Sequence, residues 1–518
     1  MKKVLLLIFI IVFIALTVLP VTVMAISDNS ISDEKISVEN RELAQMPELF
    51  SKSNKPNLKF TKEFDDYFSD HFGLRIKMVS AWSLIKFRLF NESSSDEVVA
   101  GRDDWLFSSK TMDDWFVTNQ LTERGIFRLI NSLEMIQDYV EEQDCKFIFT
   151  VVPNKNTLYG EYMPPFYVKG DESGKNLNRV IERVDEMESD LQDGYLNIHN
   201  YFSFESGDTE PLYLKFDTHW NNCGAMMFYR QLMEKAAEAF PDLEYDDYSD
   251  ITPELIETDG GDLKNMILPG YPLTEKEYDY GIPEAAGLSN PMDRRIELES
   301  DKNDFTAMFV RDSFFNSVLS LTGNNFGESI YLRSMSFDSA EFFSMAPDIY
   351  VIETVERDIA SIIDTMHYLP APGFVNDNKS EDTIDTNKDD SIDVFGEYID
   401  DYDYPVIRGF IDKNSISESD AEIYVKLTGK KRGYWLDAFP ILCEDLYDAA
   451  KEKNGADYKD YGFSLCLPTL DDYDEDNIYT VAVKEGTYEL SLIIAQGDSF
   501  RESDVFATID WDGYMFEE

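Results

Sequence analysis

Two short stretches of the chain carry residues that could together activate a serine hydroxyl. The first runs from Leu214 to Trp220 and holds Asp217 and His219, the latter one of only four histidines in 518 residues. In the second, Phe309–Phe314, an apolar run stops at Ser313. A serine hydroxyl needs an imidazole to accept its proton, and usually a carboxylate to orient that imidazole. These stretches therefore predict a nucleophilic site made of Ser313, His219 and Asp217.

Each stretch also has a second interpretation. An isolated D-x-H is common and usually marks a turn or a satisfied surface pair. Ser313 at the start of a helix is also an ordinary N-cap residue. The elements that carry the residues must decide between these interpretations.

Those elements alternate between helix and strand. Apolar periodicity predicts helices over 123–143, 176–191, 222–240, 314–321 and 357–367, and apolar runs predict strands over 145–152, 195–199, 305–310, 329–332 and 349–353. Such alternation is typical of a parallel sheet covered by helices, whose ligands bind beyond the carboxyl ends of the strands. The Ser313 amide is a candidate oxyanion donor there. Candidate substrate contacts are Asn154, Lys155, Tyr159, Arg311 and Trp220.

The composition changes beyond residue 372. Residues 373–403 are rich in Asp, Asn and Ser and are predicted to be an acidic linker. Acidic spacing within 385–397 resembles an EF-hand loop without its central glycine, which leaves calcium binding and a solvated linker both open. Short alternating runs over 404–518 predict an antiparallel β-sandwich. Four of its aromatic side chains either stack on sugars or fill the core: Tyr434, Trp435, Tyr473 and Trp511.

Charge and cysteine content limit the classes of function. With 46 basic and 101 acidic residues the formal net charge is -55, a field that repels nucleic acid, so we predict no nucleic-acid partner. Four cysteines without C-x-x-C spacing predict neither a metal site nor a redox motif, and no cofactor is expected. Cys443 and Cys466 could form a disulfide, whereas Cys145 and Cys223 are predicted to be buried thiols.

The N-terminus has the composition of a targeting segment. Lys2 and Lys3 precede an apolar run over 4–23 and a small residue, Ala25, so residues 1–25 are predicted to be a signal peptide or an uncleaved anchor. Either outcome predicts an extracytoplasmic protein, secreted or membrane-anchored. Residues 26–100 are predicted to form a partly helical lead, and 101–372 the main α/β domain.

Several motifs occur together and in the order of one family. They are Gly101–Phe107, Val152–Lys155 with Tyr159, Asp217–Trp220, Gly261–Leu263, Asp312–Phe314 and Glu356-Arg357, with Glu39–Arg41 and Tyr67–Asp70 in the lead. This set resembles the SGNH-hydrolase-like proteins of the alginate O-acetylation type (AlgX/AlgJ) and the related DHHW family. The resemblance implies a flavodoxin-like, SGNH-hydrolase-like sheet with flanking helices.

The same resemblance implies a function. Asp217, His219 and Ser313 match the family's Ser-His-Asp triad, which passes an acetyl group through the serine to polysaccharide or cell-wall hydroxyls, often with a membrane-bound O-acyltransferase as donor. Two departures are Arg311, where ordinary SGNH enzymes have glycine, and Thr218, which leaves no second imidazole for a metal. The expectation is an O-acetyltransferase or acetylesterase; the alternative is a noncatalytic polysaccharide- or wall-binding protein on a degenerate hydrolase fold.

Overall fold

The computed structural model describes residues 2–26, 44–50, 55–72, 75–186, 190–205, 211–376, 384–400, 405–454, 458–468, 481 and 483–512. The motif Glu39–Arg41 and the aromatic residue Tyr473 lie outside the described residues.

The N-terminal part is helical. It contains α1 (Lys2–Ile26), α2 (Phe60–His71), α3 (Arg75–Ile85) and a π-helical turn over Lys86–Phe90. None of the helices in the described ranges combines the length and apolar character that crossing a membrane requires. The localisation predicted from the N-terminal apolar segment, secreted or membrane-anchored, is therefore wrong.

A six-stranded sheet organises the α/β part. The strands between residues 98 and 355 are β1 (Val98–Ala100), β2 (Leu106–Ser108), β3 (Lys146–Val152), β4 (Tyr195–Leu196), β5 (Glu254–Asp259), β6 (Thr274–Asp279), β7 (Arg295–Glu299), β8 (Thr306–Val310), β9 (Glu328–Leu332) and β10 (Ile349–Val355). The sheet has the order β4-β3-β10-β8-β9-β7, parallel except for β7 at its edge. The predicted parallel strands are thus confirmed. The antiparallel edge strand and the pairs β1-β2 and β5-β6 were not predicted.

Helices cover both faces of this sheet. They are α4 (Met112–Phe116), α5 (Glu123–Glu141), α6 (Lys155–Leu158), α7 (Asn176–Glu186), α8 (Asp190–Gly194), α9 (Ile198–Glu205), α10 (Asn222–Ala239), α11 (Asp262–Ile267), α12 (Leu319–Gly323), α13 (Ser339–Met345) and α14 (Ser361–Asp364). Single 3₁₀ turns lie at Arg102–Asp104, Ser109–Thr111, Gly160–Tyr162, Glu172–Gly174, Phe314–Ser317 and Glu356–Asp358.

Strand alternation divides the apolar side chains between two cores. Along β3, Ile148 and Val152 pack in one cluster, whereas Phe149 and Val151 pack in the other. Successive side chains of a strand point to opposite faces, so a strand buried on both sides is apolar throughout. This pattern accounts for the interior positions of β3 and β10, each of which has a neighbouring strand on both sides.

The C-terminal part consists of antiparallel sheets. Its strands are β11 (Gly373–Val375), β12 (Asn387–Lys388), β13 (Val394–Ile399), β14 (Val406–Ile411), β15 (Glu422–Gly429), β16 (Gly433–Asp437), β17 (Gly462–Cys466), β18 (Gly486–Gln496), β19 (Ser499–Glu502) and β20 (Ala507–Trp511), with helix α15 (Glu444–Asn454) and a 3₁₀ turn at Lys459–Tyr461. Seven of these strands form one sheet, in which only β12 runs parallel to its neighbour β19, and β13-β14-β17 form another. Apolar side chains from both sheets share one core.

Two expectations for this region need correction. The segment predicted as an acidic linker, 373–403, contributes β11, β12 and β13 to the sheets, because its sparse apolar residues pair with neighbouring strands. Cys443 and Cys466 do not form the disulfide that the sequence left possible. Tyr434 and Trp511 belong to the shared core, so the packing interpretation holds for both.

Candidate active site

Ser313 lies just beyond the carboxyl end of β8, as the strand pattern predicts. Asp312 holds this turn in place: its carboxylate accepts the Phe314 amide at 2.7 Å and the Val355 amide, from the end of β10, at 2.9 Å. The chain then enters the 3₁₀ turn Phe314–Ser317, for which Ser313 is the N-cap. The serine is therefore fixed between the ends of two neighbouring parallel strands.

Arg311 braces the same turn from the protein interior. Its side chain is 1% exposed and donates to Asn316 Oδ1 at 2.6 Å and to the Pro291 carbonyl at 2.9 Å. A side chain stands here where ordinary SGNH enzymes have glycine, and it is directed into packed protein. Ser313 itself remains partly exposed.

His219 lies on a tight hairpin-like loop. The loop is closed by a bridge between Tyr213 and Trp220 and by the bond from the Leu214 amide to the His219 carbonyl, 3.2 Å. Directly after it, Asn221 caps α10 by accepting the Gly224 amide at 3.0 Å. The base of the loop is thereby held at the start of a long helix.

The three predicted catalytic side chains form one hydrogen-bonded chain. His219 Nε2 lies 2.9 Å from Ser313 Oγ, and His219 Nδ1 lies 2.6 Å from Asp217 Oδ1. With Nδ1 donating to the carboxylate, Nε2 is left to accept the serine proton. The imidazole retains 29% of its surface, so a substrate can approach it.

The loop after β5 supports the aspartate from behind. Asp217 Oδ2 accepts the Asp262 amide at 2.8 Å, and the Asp262 carboxylate accepts the Thr218 amide at 2.7 Å. At Gly261 a Cβ atom would overlap the Asp217 carboxylate, so only glycine lets the two segments approach this closely. These contacts give the Gly261–Leu263 motif a role that the sequence did not reveal.

Charges in the loop bias the protonation of the triad. Burial disfavours the ionised Asp217 carboxylate, but the hydrogen bond and charge of His219 outweigh it and hold the pKa of Asp217 well below its usual value. Burial likewise disfavours the His219 imidazolium, and Asp217 reverses this effect, so the pKa of His219 is raised above 6.5. An imidazole of raised pKa is a stronger base towards the serine proton.

A second buried acid lies beneath the nucleophile turn. Glu353, on β10, is fully buried, and its Oε2 accepts the Asp312 amide at 3.1 Å. Burial, together with the nearby charge of Asp312, raises the pKa of Glu353 well above its usual value. Burial also raises the pKa of Asp312.

Lys155 positions the histidine loop. It is 4% exposed, and its Nζ donates to the carbonyls of Leu214, Lys215 and Asp217 at 3.1, 3.3 and 2.6 Å. Burial lowers the pKa of Lys155 to about 8. The lysine after β3 is therefore a clamp on the loop, where the sequence predicted a substrate contact.

The other predicted substrate contacts are also buried. Asn154 donates to Asp114 at 2.8 Å, the Tyr159 hydroxyl accepts the Leu212 amide at 2.7 Å, and Trp220 donates to Ser317 at 2.6 Å. With Arg311 and Lys155 they are each no more than 4% exposed. Most of their polar atoms are bonded to protein, although Asn154 Oδ1 and Arg311 Nε have no hydrogen-bond partner among the described residues. These side chains therefore shape the site from the protein interior.

Asp217, His219 and Asp262 also meet the spacing of a metal site, because one ligand atom from each lies within 4.8 Å of the others. In the structure the two carboxylates already accept N–H hydrogen bonds: Asp217 from the amide and the ring of His219, and Asp262 from the Thr218 amide. These hydrogen bonds orient the imidazole, and a metal ion bound to the same atoms would have to break them.

Arg357 is a further residue at the site to which the sequence assigned no role. Its guanidinium lies 5.6 Å from the centre of the Phe314 ring, and that ring lies 4.8 Å from the His219 ring. Its Nη1 is buried and has no hydrogen-bond partner in the described structure. The sequence feature that could have identified Arg357 is its position shortly after β10, in the Glu356-Arg357 motif.

Comparison with known proteins gives the class. Residues 98–279 match the family model described as "SGNH hydrolase-like domain, acetyltransferase AlgX". This range contains Asp217, His219 and the Gly261–Leu263 loop, and Ser313 follows it. The resemblance stated from the motifs is confirmed over this range, which is similar to SGNH-hydrolase-like domains.

Particular relatives are named alginate O-acetylases. "Probable alginate O-acetylase AlgJ" of Pseudomonas syringae pv. tomato is 27% identical over 194 residues, 36% of this chain and 44% of the relative. The protein of the same name from Pseudomonas fluorescens is 24% identical over 321 residues, 62% of this chain and 74% of the relative. The chain thus spans less than half the length of the first relative.

Two solved structures show weaker likeness. The O-acetyltransferase domain of Pseudomonas putida AlgJ shares 19% identity at a TM-score of 0.32, covering 51% of this chain and 92% of that one. A DHHW family protein from Eubacterium siraeum shares 14% identity at a TM-score of 0.36, covering 52% and 96%.

Proposed function

We propose that the protein is an O-acetyltransferase or acetylesterase that acts on polysaccharide hydroxyls through an acyl-serine. The observation that carries this proposal is the continuous chain from Ser313 Oγ through His219 to Asp217, with distances of 2.9 and 2.6 Å. Relatives named alginate O-acetylases support acetyl as the group and a polysaccharide as the acceptor. A membrane-bound O-acyltransferase is the proposed donor partner.

The reaction has two symmetrical halves. Ser313 Oγ attacks the acetyl carbonyl carbon while its proton passes to His219 Nε2, and the leaving alcohol takes that proton as the C–O bond breaks. A sugar hydroxyl or a water molecule then attacks the acyl-serine, again giving its proton to His219, and Ser313 Oγ recovers a proton as it leaves. Asp217 keeps Nδ1 protonated and stabilises the imidazolium between the two steps.

The anion formed in each half needs hydrogen-bond donors. The Ser313 amide is one proposed donor. Arg357 is a second, because its Nη1 has no partner and its guanidinium packs on Phe314, the residue after the nucleophile.

Transfer of acetyl from an activated ester, p-nitrophenyl acetate, tests the proposal. Ser313→Ala is expected to abolish both ester cleavage and labelling by a fluorophosphonate. Ser173→Ala, at an exposed serine in the 3₁₀ turn Glu172–Gly174, is the control. Mass spectrometry of the quenched reaction is expected to find acetyl on the peptide that contains Ser313. Equal rates for Ser313→Ala and the native protein would rule the mechanism out.

The alternative function was a noncatalytic polysaccharide- or wall-binding protein on a degenerate hydrolase fold, motivated by Arg311 and by the appended C-terminal β-module. The burial of Arg311 removes the first of these motives, because its side chain does not occupy the site. Glycan binding without fluorophosphonate labelling would favour this alternative.

We also propose that residues 404–512 form a β-sandwich accessory domain, since both of its sheets contribute to one core.

A further inference from the structure

A cavity of about 270 Å³ lies on the seven-stranded C-terminal sheet, away from the triad residues. Tyr434 and Leu436 of β16 point into the shared core, so Trp435 between them points to the other face. Along β15, Val425 points to the core and Tyr424 away from it in the same manner. Trp435 and Tyr424 both line the cavity.

The register of the strands explains the hollow. Phe374 of β11 pairs with Trp435, and Ala495 of β18 lies between Glu422 of β15 and Phe500 of β19. Glu422, Ala495 and Phe500 therefore form a row across three strands. Because the alanine side chain is short, this row has a gap at its centre. Aromatic rings border this gap and carboxylates lie at its mouth.

Trp435 lies at the centre of the aromatic group. Its ring is 5.6 Å from Phe374, 5.9 Å from Tyr424 and 5.5 Å from Phe500. The indole nitrogen is a donor only, and here it is buried without an acceptor among the described residues. A buried donor without a partner is costly, so its retention beside a cavity indicates an acceptor supplied from outside.

The polar groups at the mouth restrict the ligand. Asp420 and Glu422 are exposed carboxylates that line the cavity, and Glu422 accepts the Tyr424 hydroxyl at 2.7 Å. Ionised carboxylates only accept hydrogen bonds, so the ligand must bring hydroxyl or ammonium donors. The net charge of -55 adds long-range repulsion of any polyanion.

We propose that this cavity binds one ring of a glycan made of neutral or amino sugars. An apolar face of the sugar ring packs on Phe374 and Phe500, its hydroxyl or ammonium groups donate to Asp420 and Glu422, and a sugar oxygen accepts the Trp435 N–H. Ligand sites commonly combine mostly apolar walls with a few placed polar groups in this way. This site goes beyond the proposed function, because it includes none of the triad residues.

Isothermal titration calorimetry of the full chain tests the site, with hexamers of glucosamine, N-acetylglucosamine and mannuronate as probes. We expect binding of one or both of the first two and at least tenfold weaker binding of the anionic hexamer. Ser313→Ala is expected to bind as the native chain does, so loss of acetyl transfer and loss of glycan binding are separable results. Equal or tighter binding of the mannuronate hexamer, or binding of none, would overturn the proposal.

Three variants sharpen the assignment. Phe374→Ala and Glu422→Gln are expected to weaken binding about tenfold, which corresponds to roughly 1.4 kcal/mol. Phe395→Ala is the matched control, because Phe395 is 40% exposed on the other sheet and Phe374 is 38% exposed here. Trp435→Phe keeps a ring but removes the unpaired donor, so it should weaken binding without lowering the melting temperature. Unchanged affinity in Phe374→Ala and Trp435→Phe would place the glycan elsewhere.

Discussion

At the residue scale, Asp217 joins the histidine loop to the loop after β5. One carboxylate oxygen accepts both the His219 ring N–H and the His219 amide, and the other accepts the Asp262 amide. An anion that accepts three N–H groups stays ionised, and its charge in turn favours the protonated form of His219. The carboxylate thus sets both the geometry and the basicity of the imidazole.

Asp217→Asn is expected to lower kcat for ester cleavage by roughly 10³–10⁴-fold, because an amide no longer fixes the tautomer that leaves Nε2 free. General-base catalysis needs the neutral imidazole, so native activity should fall as pH drops through the raised pKa of His219. The variant lacks the charge that raises this pKa, and its residual activity should persist to lower pH. An acid limb at the same pH in both proteins, measured from pH-rate profiles, would contradict this account.

Gly261→Ala is expected to impair activity because its Cβ would overlap the Asp217 carboxylate. To avoid this overlap, either the histidine loop or the loop after β5 must move, which should lower the unfolding free energy by about 1–3 kcal/mol. Gly486→Ala is the control, since a Cβ there meets nothing closer than 3.4 Å. Melting temperature and ester cleavage should both fall in the first variant and hardly change in the second; native kcat in Gly261→Ala would show that the close approach is dispensable.

At the element scale, the regular strands were the most predictable part of the molecule. Apolar runs located β3, β8, β9 and β10 to within a few residues, because strands buried on both faces have no polar alternation to obscure them. The sequence analysis missed β5 and β6, neither of which has a buried residue, and β7, whose two buried residues alternate with charged ones.

The site was only partly predictable for a related reason. Residue type and strand-end position identified Ser313, His219 and Asp217, since these depend on local sequence and topology. Whether a polar residue such as Lys155 or Asn154 faces solvent or clamps a loop depends on tertiary contacts 60 or 40 positions away. No local pattern records such contacts, so the sequence could not show that these polar side chains bond to neighbouring loops.

Lys155→Met is expected to loosen the connection between α6 and the histidine loop. Three carbonyls lose the lysine N–H donor, which should cost about 1–3 kcal/mol of unfolding free energy and lower kcat.

The pKa of Lys155 is about 8 in the folded chain and 10.5 unperturbed, so between these values the unfolded chain binds more protons. The stability of the native protein relative to the variant should therefore rise from pH 8 to 10.5, by at most about 3 kcal/mol. Denaturant titrations across this range measure the difference, and a flat difference would contradict the burial of a charged amine.

At the scale of the whole molecule, two buried arginines of α5 connect the α/β part to the C-terminal sheets. Arg124 donates to the carbonyls of Ser419 and Ala421, at the start of β15. Arg128 donates to the Pro440 carbonyl, to Asp460 at 2.9 Å and to the Ile363 carbonyl at 3.2 Å. In a chain with so large an acidic excess, these cations are placed where carbonyl oxygens from both parts converge.

Arg128→Met is therefore expected to separate the unfolding of the two parts. Arg128 is 1% exposed, so its loss removes the hydrogen bonds that it donates to Asp460 and to two carbonyls and should cost on the order of 3 kcal/mol. Calorimetry should show a lower main transition that splits in two, because the contacts that couple the parts are weakened. Arg183→Met, at an exposed position of α7, is the control and should melt as the native protein does. Ester cleavage at low temperature should survive in both, since neither arginine touches the triad; a single unshifted transition in Arg128→Met would mean that the apolar contacts alone hold the parts together.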